Sequence, residues 1–395
     1  MHELDPLSAV TATDPYPYYA RLVAERPFYR DDALGMWIAA SAQTVEEVLS
    51  STAMRVRPIS EPVPNAIADT PMAEIFARFV RMTDGPHQSA VKNSVVAALG
   101  RLDQGDLAAT GERCANQLLQ ALSVDDPGAL NAFVLGLPAL ATASALGFSQ
   151  HDALHAVAWT KDFVRSIAPG STQPEIARGT PATVALHAAL QYRLAEAPAD
   201  GSLFAMMLNE GRRSGVDDAV VLANAIGLLF QSYDATAGLI GNTLVALAAG
   251  RSDLRDAIRD DPGLLDGVIA EVARYDSPVQ NTRRFAAART TVIGSSVAEG
   301  DVVLVLLAAA NRDPSVNPDP HRFDAARDER RTYTFGVGAH ACPGARMATT
   351  IARGGVSRVL ESGIDLQGLV ATGYRPSLNA RVPMFAPRIV TGAVS

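Results

Sequence analysis

Cys342 lies in the run Phe335-Gly336-Val337-Gly338-Ala339-His340-Ala341-Cys342-Pro343-Gly344. One cysteine thus follows a glycine-punctuated loop and stands at the mouth of a predicted helix. Unpaired N–H groups and the dipole at a helix start favour a thiolate over a thiol. Pro343 suits the first helical position. Gly336 and Gly338 permit backbone angles that other residues adopt only at a cost, which lets the loop run close beneath a flat ring. Phe335 supplies an apolar wall under such a ring. A thiolate held this way can ligate a haem iron and push electron density towards bound oxygen. With average residue usage, the six positions Phe, Gly, Gly, His, Cys and Gly recur by chance in a chain of this length on the order of once in a million. A buried free cysteine beside an ordinary turn is the competing reading, and it leaves the rest of the pattern without a reason.

A second set of reactive residues sits in the middle of a long apolar stretch. The pattern predicts a helix from about Asp217 to Ala249, stopped by Gly250, roughly 50 Å long at 1.5 Å per residue. Its centre reads Gln231-Ser232-Tyr233-Asp234-Ala235-Thr236. So apolar a helix is buried in a large protein or lies in a membrane. Asp217, Asp218 and Asp234 interrupt any spanning window, so burial is expected. An acid and several polar groups inside a buried helix are costly unless they have a task.

The elements that must hold these two segments follow from local pattern. Asp261-Pro262 starts a predicted helix to Tyr275 that carries Glu271-Val272-Ala273-Arg274, acid and base three apart on one face. Thr282 to Ala286, with Arg284 inside, and Val302 to Leu307 read as strands. Asn311-Arg312-Asp313-Pro314 and Pro318 to Asp324 form a proline-rich meander. Near the start, Tyr18 to Val23 reads as helix, Phe28-Tyr29-Arg30 and Met36 to Ala40 as a strand pair, and Thr44 to Leu49 as helix. Arg55 to Thr70, with Pro58, Pro62 and Pro64, is irregular, and long irregular loops in compact domains are often functional. Asn379 to Thr391 reads as a β-hairpin with Val382 to Phe385 at its tip.

Taken together, these motifs resemble those of the cytochrome P450 family over nearly the whole chain. The resemblance implies a mainly α fold with small β-sheets, a triangular prism with haem between the long central helix and the Cys-ligand helix, in one domain spanning 1–395. It makes Cys342 the axial thiolate of haem b, surrounded by Phe335, Gly336 and Gly344. It assigns His340, Arg284 and His87 to the haem propionates; His87 lies in Asp84-Gly85-Pro86-His87-Gln88-Ser89-Ala90-Val91-Lys92. Glu271 and Arg274 become a structural pair completed by Arg327. The 55–75 loop becomes a lid over substrate.

Two departures stand out. Where the family carries an oxygen-contacting threonine after the acid of the central helix, this chain has Ala235; Asp234 is kept, and Thr236 is one residue on, about 100° around the helix. The small-residue pair that leaves room for dioxygen is Gln231-Ser232. The arginine expected four residues after His87 is Val91, with Lys92 beside it pointing elsewhere on an ideal helix.

The expected function is therefore oxidation of a small organic molecule with dioxygen, tailoring a peptide- or polyketide-like bacterial secondary metabolite. Polar Gln231, Ser232 and Tyr233 suggest a substrate with hydrogen-bonding groups. Electrons come from separate partners, a ferredoxin and its reductase, docking on Arg346, Arg353, Arg358 and Lys92. A second reading, motivated by Ala235, is a substrate-assisted or peroxide-using oxidase giving decarboxylation, cyclisation or coupling. A third is a non-catalytic haem sensor or recruitment domain, which the intact Cys342 argues against.

Composition agrees. The 395 residues are 48% hydrophobic and 19% charged, ordinary for a globular protein. A net charge of −8 argues against nucleic-acid binding. Cys114 and Cys342 are the two cysteines, with no zinc spacing, which fits a reducing cytoplasm. Met1 to Asp5 shows no basic or apolar leader, so the expected protein is a monomer without a membrane anchor.

Overall fold

The computed structural model describes residues 4–121, 128–196, 201–248, 251–366 and 369–386. The chain opens with α1 (Tyr16–Glu25), the hairpin β1 (Phe28–Asp31) and β2 (Met36–Ala39), α2 (Ala42–Ser50) and the short β3 (Met54–Arg55). A helical tract follows: α3 (Pro71–Ala77), α4 (Gly85–Gly100), α5 (Gln104–Gln120), α6 (Ala129–Ala145), α7 (Gln150–Ile167), α8 (Gln173–Ala195) and α9 (Leu203–Arg213). The long central helix is α10 (Asp218–Ala248), succeeded by α11 (Ser252–Asp260) and α12 (Leu264–Tyr275). Then come β4 (Thr282–Ala286), β5 (Thr290–Val292), β6 (Ser295–Val297), β7 (Val302–Val305) and α13 (Leu307–Ala310). The Cys342 loop leads into α14 (Ala345–Glu361), and β8 (Val370–Tyr374) pairs with β9 (Pro383–Ala386).

Sheet order is β1-β2-β7-β4-β3, antiparallel except for the parallel β2–β7 pair. Arg284 stands opposite Val303 in the β4–β7 register, which turns its side chain inward, where it is 6% exposed.

The 31 residues of α10 span about 46 Å at 1.5 Å per residue, and Val221 to Leu247 are largely buried against α6, α9, α12 and α14. No helix among the described residues is long and apolar enough to cross a membrane. Gly238 explains how other segments reach the helix. A Cβ there would sit 2.7 Å from the Arg381 carbonyl oxygen and 2.8 Å from Pro278 Cβ, so the 278–280 and 381–383 segments close directly on α10. Ala249 and Gly250, the expected end of this helix, lie outside the described residues, as do Met1–Glu3 and the tail from residue 387.

Two local expectations change. In the hairpin expected over 379–391, β9 takes its partner from β8, twelve or so residues upstream, with a bulge between Ala371 and Gly373; residues 387–391 lie outside the described residues. The Arg55–Thr70 stretch is irregular apart from Arg55 at the end of β3 and a short 3-10 turn at Asn65–Ile67, and α3, directly after it, buries Met72, Ile75 and Phe76 in the main core and packs on α8. Pro343 is not the first helical residue; Gly344 is the N-cap and α14 begins at Ala345.

Glu271 and Arg274 are both fully buried and pair at 2.6 and 3.0 Å. Arg274 also donates to the carbonyls of Asn311, Pro320 and Arg322. Arg327 Nε lies 3.5 Å from Glu271 Oε1, and Arg330, which the sequence reading did not single out, donates to Glu271 Oε2 at 2.9 Å. The Asp324 N–H completes the set at 3.0 Å. One carboxylate thus ties α12 to the meander. Burial alone would raise the Glu271 pKa, but the Arg274 and Arg330 bonds and the Asp324 amide hold it below the ordinary value.

Candidate active site

The Cys342 loop is shaped by its own backbone. Gly336 and Gly338 take φ of +66° and +68°, the left-handed region that glycine enters freely. At Gly338 a Cβ would also meet the Leu49 carbonyl oxygen at 2.9 Å, so the loop lies hard against the end of α2. The Cys342 N–H closes the turn on the Phe335 carbonyl at 2.7 Å.

In α4 the side chains that meet the cysteine loop are neighbours of His87. His87 is exposed. Gly85, at φ +83°, opens α4 with a register that buries Gln88, Val91, Val95 and Ala98. Gln88 and Lys92 instead face the cysteine loop. Gln88 Nε2 donates to the Ala339 carbonyl at 3.1 Å, and Lys92 Nζ donates to the Ala339 and Ala341 carbonyls at 2.7 and 2.5 Å. The cation near the loop is therefore Lys92, one residue past Val91. The signal was available: Gln88 and Lys92 are four apart, one helical turn.

Charge gathers around Cys342. Burial pushes its thiol pKa up, and the Gly344 N–H, Arg81 and Lys92 oppose this. Arg81, also absent from the sequence reading, has its own pKa lowered by burial and sustained by Cys342. Arg284 is brought down to about 10, by burial first and then by the like charge of Arg81, with Asp84 opposing. Among the described residues its Nη1 donates only to the Arg283 carbonyl at 2.9 Å and the Thr282 hydroxyl at 3.4 Å. Two guanidiniums that repel each other in a poorly solvated place call for an anionic partner. His340 Nε2 lies 3.0 Å from Asp84 Oδ1, so the expected propionate histidine is already paired with a carboxylate. These groups fit a dianionic, iron-bearing flat ring: guanidiniums for its carboxylates, and a cysteine among cations and an N–H for its metal, which deprotonates a thiol outright on binding.

The centre of α10 separates into two faces. Leu228, Gln231 and Ala235 lie along one side of a mostly buried helix and are partly accessible, as are Phe230, Ser232 and Asp234. Gln231 Nε2 folds back on the Gly227 carbonyl at 3.0 Å. Ser232 turns away, bonding the Leu229 carbonyl at 3.0 Å and Thr142 of α6 at 3.1 Å. Tyr233 is buried with Ala139 and Val164. Of the three polar residues expected to face substrate, Gln231 and Ser232 are partly accessible and Tyr233 is buried. Thr236 is 1% exposed, and its hydroxyl has no partner among the described residues. Asp234 is ion-paired with Arg375, just past β8. Burial raises the Asp234 pKa, and the Arg375 charge and hydrogen bond oppose the rise.

Beside the centre of α10 is an aromatic cluster that the sequence did not disclose. Phe79 stacks on Phe230 at 5.8 Å and meets Phe163 edge-on at 6.2 Å and Phe76 at 5.9 Å. The rings come from α3 and the residues after it, from α7 and from α10, and no single stretch of sequence contains them all. The proposed docking arginines are mostly engaged: Arg353 with Asp266 at 3.1 Å, and Arg358 with Glu112 and Glu361 at 2.8 and 2.7 Å. Arg346 is exposed.

Known proteins resemble this chain over most of its length. The family model described as Cytochrome P450 matches residues 199–362. Cytochrome P450 107B1 of Saccharopolyspora erythraea is 31% identical over 290 residues, 72% of this chain and 70% of that protein. The 20-oxo-5-O-mycaminosyltylactone 23-monooxygenase of Streptomyces fradiae is 28% identical over 366 residues, 89% of this chain and 84% of its own length. The crystal structure of CalO2 superposes with a TM-score of 0.81 at 25% identity and covers 98% of both chains.

Proposed function

Because the chain belongs to the cytochrome P450 family and is a monooxygenase of that family, we propose that it tailors a polyketide- or peptide-like secondary metabolite in the bacterial cytoplasm. The observation that supports this reading is the cysteine loop itself, with Cys342 set among Arg81, Lys92 and the Gly344 N–H at the start of α14, a helix packed on α10. Haem of the b type, held by Cys342 with Arg81 and Arg284 on its propionates, would supply dioxygen reduction and hydrogen abstraction from the substrate. Electrons would arrive from a ferredoxin and its reductase.

The residues of this chain have three tasks. The buried phenylalanine cluster excludes water behind the centre of α10 and offers a substrate the partly accessible Phe230 ring. Gln231 offers an amide to a polar group on that substrate. Asp234, paired with Arg375, is the acid placed to pass protons towards the oxidation site. Positioning is worth much of the barrier in such a site, so a substrate hydroxyl or amide beside Ala235 can take the role of the missing side-chain hydroxyl. Substrate assistance is favoured over Thr236, whose hydroxyl is buried on another face.

The test is reconstitution with ferredoxin, ferredoxin reductase, NADPH and 18O2 on a panel of macrolide and peptide metabolites preselected by type I spectral shift. One 18O atom is expected in the product, and none with Cys342→Ser. Oxidation without label from 18O2, and equal turnover with hydrogen peroxide alone, would replace the monooxygenase assignment by the peroxide-using one.

A further inference from the structure

We propose that His151, Asp152 and His155 on the first turns of α7 form a binding site for a divalent transition metal of the Zn²⁺ class. The two histidines are four apart, on one face of the helix, and all three side chains are exposed. One ligand atom from each residue lies within 4.8 Å of the others. Tetrahedral zinc holds nitrogen and carboxylate oxygen at about 2.0–2.2 Å, so its ligands sit roughly 3.3 Å from one another, a closure that small side-chain rotations supply. Two imidazoles and one carboxylate select zinc, nickel or copper over magnesium and calcium, which take oxygen ligands.

The surroundings already fix two of the three ligands. The His151 and His155 rings meet edge-to-face with centroids 4.4 Å apart, so they are neighbours before any ion binds. His155 is backed on its other side by Trp159, stacked at 5.7 Å, which limits its rotation. Asp152 Oδ2 accepts the Ser149 hydroxyl at 2.7 Å, and the Asp152 N–H returns to Ser149 Oγ at 3.1 Å. That exchange orients the carboxylate and leaves Oδ1 open, an outer-shell support of the kind that metal-ligating carboxylates use. Three protein ligands leave a fourth position for water. The site clamps the first two turns of α7, the helix whose far end carries Phe163 of the aromatic cluster. It is independent of the oxidation chemistry.

The experiment is calorimetric titration of the tag-free holoenzyme with ZnCl2, with MgCl2 as control, and hydrogen exchange read at residues 150–156. One Zn²⁺ per chain is expected to bind and to slow exchange in that turn, with no heat from Mg²⁺. His151→Ala and His155→Ala should each weaken binding by at least about tenfold, since even losing an outer-shell partner costs that much. Both side chains are exposed, so the variants keep their haem spectrum. Absence of saturable binding at a 1:1 ratio, or binding and exchange protection retained by the double variant, would overturn the site.

Discussion

At the residue scale, a buried guanidinium that forms no close ion pair is costly to enclose, and among the described residues Arg284 forms none, with Asp84 acting on it only at a distance. Arg284→Ala and Arg81→Ala should each speed haem loss, measured as transfer to excess apomyoglobin. His87→Ala should have the smaller effect, because Gln88 and Lys92, and not His87, bond the cysteine loop. Faster loss from the His87 variant alone would return the propionate role to it. The pair Asp234–Arg375 supports a second prediction. Burial raises the carboxyl pKa, and Arg375 opposes it, so Arg375→Gln leaves burial unopposed and moves the pKa further up. The pH limb of product formed per NADPH should shift upward in that variant and vanish in Asp234→Asn. Ala235→Thr should improve coupling most for substrate analogues that lack a polar group near the oxidised carbon. A uniform gain across substrates would show that the substrate supplies no hydrogen bond.

At the scale of elements, α12 and the meander are joined through one carboxylate. Removing a single partner of a buried pair strands the other charge, at a cost of about 3–5 kcal/mol, so Arg274→Ala should unfold the protein or lower its urea midpoint sharply. Arg330→Gln is the milder case. It loses one charge-assisted bond, worth about 1.5–3 kcal/mol at pH 7. The Glu271 pKa is depressed in the fold. Its stabilisation is therefore complete above the ordinary carboxylate range near 4.3 and is lost as pH falls through its lower folded value. The stability gap between wild type and Arg330→Gln should hold from pH 7 to about pH 5 and narrow only as pH falls below the ordinary carboxylate range near 4.3; a gap that stays constant there would mean that Arg330 acts through packing. Elements of this kind were legible in the sequence because they depend on local spacing. The Glu271–Arg274 pair, the Gly336–Cys342 loop and the buried length of α10 all follow from residues a few positions apart. Register was less legible. His87 and Gln88 compete for one helical face, and Gly85 decides between them through a φ that sequence does not display. Arg81, Arg375 and the four phenylalanines converge only through tertiary packing, so no periodicity announces them.

For the molecule as a whole, the net charge of −8 makes any cationic area on the cysteine side a local exception. An acidic ferredoxin would be drawn to such an area and repelled elsewhere, since association is steered by the summed field. Sequence alone offers four cations there, and the structure distinguishes them. Arg353 and Arg358 are neutralised by carboxylates on neighbouring helices. Lys92 is tied to the carbonyls of the cysteine loop. Arg346, in the first turn of α14 four residues from Cys342, is exposed and has no ion pair among the described residues. It is thus the cation best placed to meet a partner that must bring its electron close to the iron ligand. Arg346→Glu should raise the apparent KM for ferredoxin roughly three- to tenfold at low ionic strength, with the difference shrinking as salt shortens the Debye length from about 30 Å to about 8 Å. Substrate binding, read as the type I shift, should be unchanged. Arg358→Glu should chiefly destabilise the α5–α14 contact, lowering the unfolding temperature with little salt dependence of reduction. If Arg346→Glu left reduction by ferredoxin unaltered at every salt concentration, the electron donor would have to approach by another face.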